Sequence, residues 1–257
     1  NDEVEAFRRY VYEGGTLYAS KNTSLQRKDG SRPGDFMLGD VFGVSFLGET
    51  SESFTYISPS EEALGLFDGY DDTCPVGIDE KQIIVRAHAD AKVWGKVVLP
   101  FSHPDDWQNF TSIHSNPPGR PTDHPAVVFN SFGRGKCVYV TASLEKYEIF
   151  RKIVVNIIRQ LCPAPSFEAE APPVVEITCF WQSEHKRHVV SALNFQMEQP
   201  NVPVRNVRIA LRKENRRVSR IKKLPDSIAL PYQEDSARVF FVIPELDVFG
   251  MYAVEYE

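Results

Sequence analysis

No run of about 18 apolar residues occurs in this chain, so none of its helices is written to cross a membrane. Cysteine is scarce: Cys74, Cys137, Cys162 and Cys179 are the only four in 257 residues, and no C-x-x-C pair occurs among them. Structural zinc needs such close pairs and a disulfide framework needs denser cysteine, so both are set aside and no metal or other cofactor is expected. Positive charge is not in excess either. The net charge of −6 argues against binding nucleic acid phosphates. No secretory leader is recognisable, although a chain that starts at Asn1 without methionine is compatible with a removed one. The triplets at Asn22 and Asn109 match the N-glycosylation pattern, which is short enough to arise by chance.

What is present is packing. With 42% hydrophobic residues the chain can bury one large core or two modest ones. Between residues 120 and 165 the runs Ala126 to Asn130 and Lys136 to Val140 predict buried strands around a turn at Gly133 and Gly135. A helix over 147–161 follows. It carries Ile149, Ile153 and Ile157 on one row and Phe150, Val154, Ile158 and Leu161 on the next, a wide apolar stripe suited to lying on a sheet.

The first helix is predicted over 2–13. Asn1 is its expected N-cap, Val4, Phe7 and Val11 form its apolar stripe, and Gly14-Gly15 stops it. Thr16 to Ser20 then reads as a strand, and a short helix from Phe36 ends before Gly43. A helix feeding a buried strand is half of a β-α-β crossover. The strand expected before the helix is missing, which suggests a chain cut from a longer polypeptide. "GETSESFTYISP" reads as an exposed strand, and "FSHPDDWQNFTSIHSNPPGRPTDHP" as a long loop whose tryptophan and three histidines argue against disorder.

Residues 163–173 read as a proline-rich linker between a first domain over 1–162 and a second over 174–257. Six alternating segments follow, starting at Val174, His188, Val204, Arg217, Ala237 and Met251, as in a small antiparallel sandwich.

Several of these blocks are familiar. "EAFRRYVYEGGTLYAS", "DFMLGDVFGV", "GETSESFTYISP" and "RPTDHPAVV" resemble the glutamine-amidotransferase-like domain known as the β-galactosidase trimerisation domain. "HVVSALNF", "VPVRNVRIALR" and "VFFVIPELDVFGMYAVEY" resemble the β-sandwich that ends the same polypeptides, including α-L-fucosidase-like hydrolases of that layout. The resemblance implies a doubly wound, flavodoxin-like α/β sheet, either complete or short of its first strands, followed by the sandwich. It also implies two partners: an N-terminal (β/α)8 barrel in the same polypeptide, and further copies of the chain in a homo-oligomer. The barrel would hold the catalytic carboxylates, so no catalytic residue is expected here.

Four sites invite chemistry. A working amidotransferase needs a thiolate on a strained elbow with oxyanion donors and a histidine base, yet no Gly-x-Cys-x-Gly occurs. Cys74 sits before a proline in an acidic loop and Cys162 at a helix end, both poor places for a thiolate. Asp71-Asp72 and Asp105-Asp106 are adjacent acids, whereas glycosidases hold their pair about 5 to 9 Å apart on separate strand ends, so both read as turn formers. In the long loop, Trp107 offers a ring for a sugar and His103, Asp105 and His114 offer hydrogen bonds. The plainer expectation packs Trp107 under the loop and puts the histidines at a protein interface; the resemblance adds a role lining a neighbouring barrel's pocket. Finally "VRNVRIALRKENRRVSRIKK" reads as a hairpin with one wet basic face and no aromatic platform for nucleic acid.

The sequence thus points to a non-catalytic oligomerisation and support region of a glycoside hydrolase. The competing class is an independent small-ligand binder or enzyme on an amidotransferase-like fold.

Overall fold

The computed structural model describes residues 2–103, 105–112, 115–162, 164–198 and 200–257. Two compact units divide the chain, residues 1–163 and 164–257.

In chain order the first unit runs α1 (Asp2–Tyr12), β1 (Thr16–Ser20), α2 (Gly39–Phe42), β2 (Val44–Glu49), β3 (Thr55–Pro59), β4 (Val76–Ile78), β5 (Ile83–Ala87), β6 (Lys92–Pro100), β7 (Pro118–Phe132), β8 (Gly135–Val140) and α3 (Arg151–Leu161). Six strands form one sheet in the order β1-β8-β7-β6-β3-β4, and β2 pairs with β5 apart from it. The sheet is mixed. β1 lies parallel to β8, but β8, β7, β6, β3 and β4 pair antiparallel. The expected doubly wound sheet is therefore reduced, among the described residues, to one parallel pair. Short connections explain this: β7 turns into β8 through two residues, with Gly133 at φ 59, and a connection that short permits only antiparallel pairing.

Alternation along β8 sends Cys137 and Tyr139 into one core and Val138 and Val140 into another. Val11 of α1 joins the first core, and Ile153, Ile157 and Leu161 of α3 join the second. The two helices thus cover opposite faces. Both stripes are narrower than the sequence suggests. Phe7 is half exposed. Ile149 falls in a 3₁₀ turn ahead of α3, where three residues per turn swing it off the helical row and leave it 71% exposed.

Three further expectations change. The segment from Thr55 is not exposed: β3 lies between β6 and β4 with Thr55, Tyr56 and Ile57 buried. The predicted helix from Phe36 is a single turn, closed by Gly43 at φ 72 as expected. The long loop ends at Pro117, because Pro118 to Ala126 already pair with β6. Prolines are tolerated there because β8 reaches only Val127 to Phe132, so the other edge needs no donors.

The second unit runs β9 (Phe167–Glu170), β10 (Val175–Gln182), β11 (Arg187–Asn194), β12 (Val204–Arg212), β13 (Val218–Leu224), β14 (Ile228–Leu230), β15 (Tyr232–Glu234), β16 (Arg238–Leu246) and β17 (Phe249–Tyr256). The sheets β10-β11-β17-β13-β14 and β15-β16-β12-β9 close on a shared core that includes Val190, Ile209, Phe241, Ile243 and Tyr252. Part of the stretch read as linker is strand β9, paired with β12. The basic hairpin does not form: β12 and β13 belong to different sheets.

Candidate functional site

The loop over 101–117 is pinned at its neck. Phe101 N–H donates to Pro117 O at 2.8 Å, Ser102 N–H to Asn116 Oδ1 at 3.0 Å, and Asn116 Nδ2 returns a bond to Ser102 O at 3.2 Å. Tyr56 on β3 donates its hydroxyl to Asn116 O at 2.6 Å. Within the loop, Asp106 accepts the N–H groups of Gln108 and Asn109 and the Asn109 side-chain amide, which together hold its carboxyl below the usual range. A cavity of about 580 Å³ opens beside the neck, lined by Phe54, Tyr56, Thr111, Ser112, Ser115 and Asn116 among others.

Trp107 does not pack under this loop. It is 82% exposed, and Phe110 is 81% exposed, so two large apolar rings stand in water. Asp105 is exposed and donates its backbone N–H to His103 Nδ1 at 3.1 Å. His114 lies outside the described residues. Residues the sequence did not mark complete the foot of the loop. Glu52 is buried, its Oε1 is 2.5 Å from Arg120 Nη2, and His103 Nε2 is 3.9 Å from the same oxygen. No spacing signal marks Glu52, one of two acids in the polar "GETSES" lead-in to β3.

The remaining candidates stay apart. Asp71 accepts the N–H groups of Thr73 and Cys74, the work of a turn former. All four cysteines are free; Cys74 and Cys162 are exposed, and burial pushes the Cys137 thiol far up and that of Cys179 up to about 11. Among the described residues no group of three His, Cys, Asp or Glu side chains is placed to hold a metal ion.

The carboxyl ends of parallel strands are where open α/β sheets bind ligands. At that end of β1 and β8, Lys21 bonds Glu80 at 2.6 Å, the Ser143 N–H bonds the same carboxylate at 2.5 Å, and Tyr18 and Ser20 both donate to Glu145. The groups there are spent on one another.

In the second unit the basic side chains are mostly paired: Arg205 with Glu245, Arg208 with Glu170, Lys213 with Glu234. The Arg216 guanidinium lies 4.1 Å from the centre of the Trp181 ring and covers a face that a sugar would need.

No protein-family model matches the sequence. No curated protein matches it. Solved structures do. An α-L-fucosidase isoenzyme 2 from Paenibacillus thiaminolyticus is similar over 100% of this chain and 38% of its own, at 18% identity and TM-score 0.75. The GH42 β-galactosidase Gan42B from G. stearothermophilus is similar over 99% of this chain and 30% of its own, at 15% identity and TM-score 0.56. A β-galactosidase from Bacillus circulans sp. alkalophilus covers 98% and 30%, at 14% identity and TM-score 0.56. The likeness is one of fold: the whole of this chain folds as about a third of each of those glycoside hydrolases does.

Proposed function

We propose that this chain is a non-catalytic region of a multidomain glycoside hydrolase, serving oligomerisation and the support of a (β/α)8 barrel in the same polypeptide. The observation that carries this reading is the full coverage of the chain by 38% of the fucosidase. The remainder of such an enzyme has ample length for a catalytic domain. In this reading the first unit is the trimerisation-type, amidotransferase-like domain, and the loop over 101–117 is its contact surface. The exposed Trp107 and Phe110 support that assignment, because interfaces draw most of their energy from a few large side chains that lose water on binding. The pinned neck lowers the ordering cost of docking. His103 and Asp105 would then face either a second copy or the mouth of a neighbouring barrel, with His114 beside them in sequence.

The test is made in the full-length polypeptide. Trp107→Ala, His103→Ala and His114→Ala are compared with the native protein for mass by light scattering and for hydrolysis of aryl fucosides and galactosides. Loss of assembly with Trp107→Ala supports the interface. Loss of activity with assembly intact supports pocket lining. Unchanged mass and rate in all three variants removes the loop from the function. Turnover of glutamine or an aryl glycoside by the 257-residue chain alone would favour the independent enzyme instead.

A further inference from the structure

On the α3 face of the first unit, a cleft of about 330 Å³ lies between the 3₁₀ turn Glu61–Leu66, β6, β7 and α3. Its apolar side includes Trp94 and Phe129, stacked with ring centroids 4.8 Å apart and planes within 19°. Glu62, Lys92 and Gln160 bring polar groups to it, and Gly65 stands at its lip. Trp94 is on β6 and six residues before Pro100, so the cleft lies about 20 Å along the strand from the 101–117 loop.

Trp94 is 7% exposed, yet its indole N–H has no acceptor among the described residues. That nitrogen is not sealed away either, since it is not one of the enclosed atoms left without a partner. A tryptophan buried to this degree usually gives its N–H to something. The residue that carries this donor lines the cleft.

We propose that this cleft binds one neutral sugar ring. A pyranose presents a C–H face that packs on aromatic carbon and hydroxyls that each donate and accept. The groups available match that need: Glu62 accepts, Lys92 and the Trp94 N–H donate, and Gln160 does both. A charged ligand fits less well. Glu62 and Lys92 are of opposite sign and both exposed, so their fields cancel and water screens what is left. The volume sits at the lower end of the range for small-molecule sites, about 300 Å³, which suits one ring rather than an oligosaccharide. The site is separate from the loop surface proposed above, and its test needs only the 257-residue chain.

The chain has three tryptophans, so their indole N–H signals are resolved by two-dimensional ¹H–¹⁵N NMR of the labelled protein and assigned by substitution. Methyl β-D-galactopyranoside and methyl α-L-fucopyranoside are titrated, with zwitterionic phenylalanine as a ligand of another class. The Trp94 signal is expected to move saturably with at least one glycoside, at a Kd on the order of 1 mM. The Trp107 signal stays in place. Trp94→Phe keeps an aromatic ring, removes the N–H and, read from the backbone amide signals of the cleft residues, weakens binding about tenfold, the equivalent of one hydrogen bond. Should that variant fold poorly, Gly65→Phe serves instead: a Cβ at Gly65 meets nothing within 4 Å, so the added ring enters open space at the lip and abolishes binding. The proposal is overturned if neither glycoside moves the Trp94 signal, if only Trp107 responds, if phenylalanine alone binds, or if Gly65→Phe binds like the native chain.

Discussion

Glu52 and Arg120 meet at 2.5 Å at the foot of the 101–117 loop, and the carboxylate keeps only 4% of its side-chain surface in water while the guanidinium keeps 36%. The pair joins the approach to β3 with the start of β7. Arg120 also donates through Nε to Pro100 O at 2.8 Å, so one side chain ties three segments.

Removing Arg120 leaves a buried carboxylate without its counter-charge. Arg120→Ala is expected to lower unfolding stability by about 2 kcal/mol, less than for a fully enclosed pair because water reaches the arginine. Urea unfolding checks this, and adding Glu52→Gln to Arg120→Ala should recover part of the loss. A native midpoint for Arg120→Ala would show that the pair contributes nothing.

Glu80 makes part of the stability depend on pH. Burial pushes its carboxyl up, but the Lys21 hydrogen bond, the Ser143 N–H and the charges of Lys21 and Lys146 together outweigh that and hold it below its ordinary value of 4.5. A depressed carboxyl stabilises fully above its unfolded pKa and loses that contribution as pH falls through the folded value. Glu80→Gln should therefore be less stable than native at about pH 7, and the two should converge on the acid side of about 4. Stability curves that stay parallel into acid would contradict the assignment.

Gly135 is needed for room, not for positive φ. A Cβ there would run into the backbone oxygens of Val11 and Gly15, at the place where α1 docks on β8. Gly135→Ala is expected to cost about 3 kcal/mol, since backbone on both sides cannot move as a side-chain tip would. Thermal unfolding reads it directly. Gly65→Ala, with nothing in the way, is the control and should change stability by no more than about 0.5 kcal/mol.

The four thiols should divide by reactivity. Cys74 and Cys162 are exposed and should react with a chromogenic disulfide within seconds to minutes. Cys137 is buried with its thiol pushed far up, and should react only on unfolding; Cys179 should lag behind the exposed pair. Rapid release of four equivalents from the folded chain would show a looser core than this one.

The sequence announced most strands but not their neighbours. The six long strands of the second unit follow from alternation, because period-two patterning reports which face a residue takes. It does not report which strand lies alongside, so β12 and β13 read as a hairpin although they sit in different sheets. β3 was misread for a local reason: the polar "GETSES" lead-in hides a short buried run. At the loop, Trp107 stood out by type, but its exposure depends on how the neck at Ser102 and Asn116 is tied. Glu52 and Trp94 were illegible as site residues because their roles come from partners brought in by tertiary structure: Arg120 for one, and for the other a cleft completed by Gln160.

The parallel pair has a kinetic consequence. Thr16 pairs with Lys136 and Ser20 with Val140, so about 120 residues must be made and arranged before β1 gains β8, its strand partner among the described residues. The hairpin β7–β8 closes locally and needs no such wait. During synthesis α1 and β1 therefore emerge well before β8 and dock late, leaving Val11 and Ala19 uncovered while the residues between them and β8 are made. That interval is when this chain is most open to aggregation, and it would shorten if residues 1–20 were moved to follow α3.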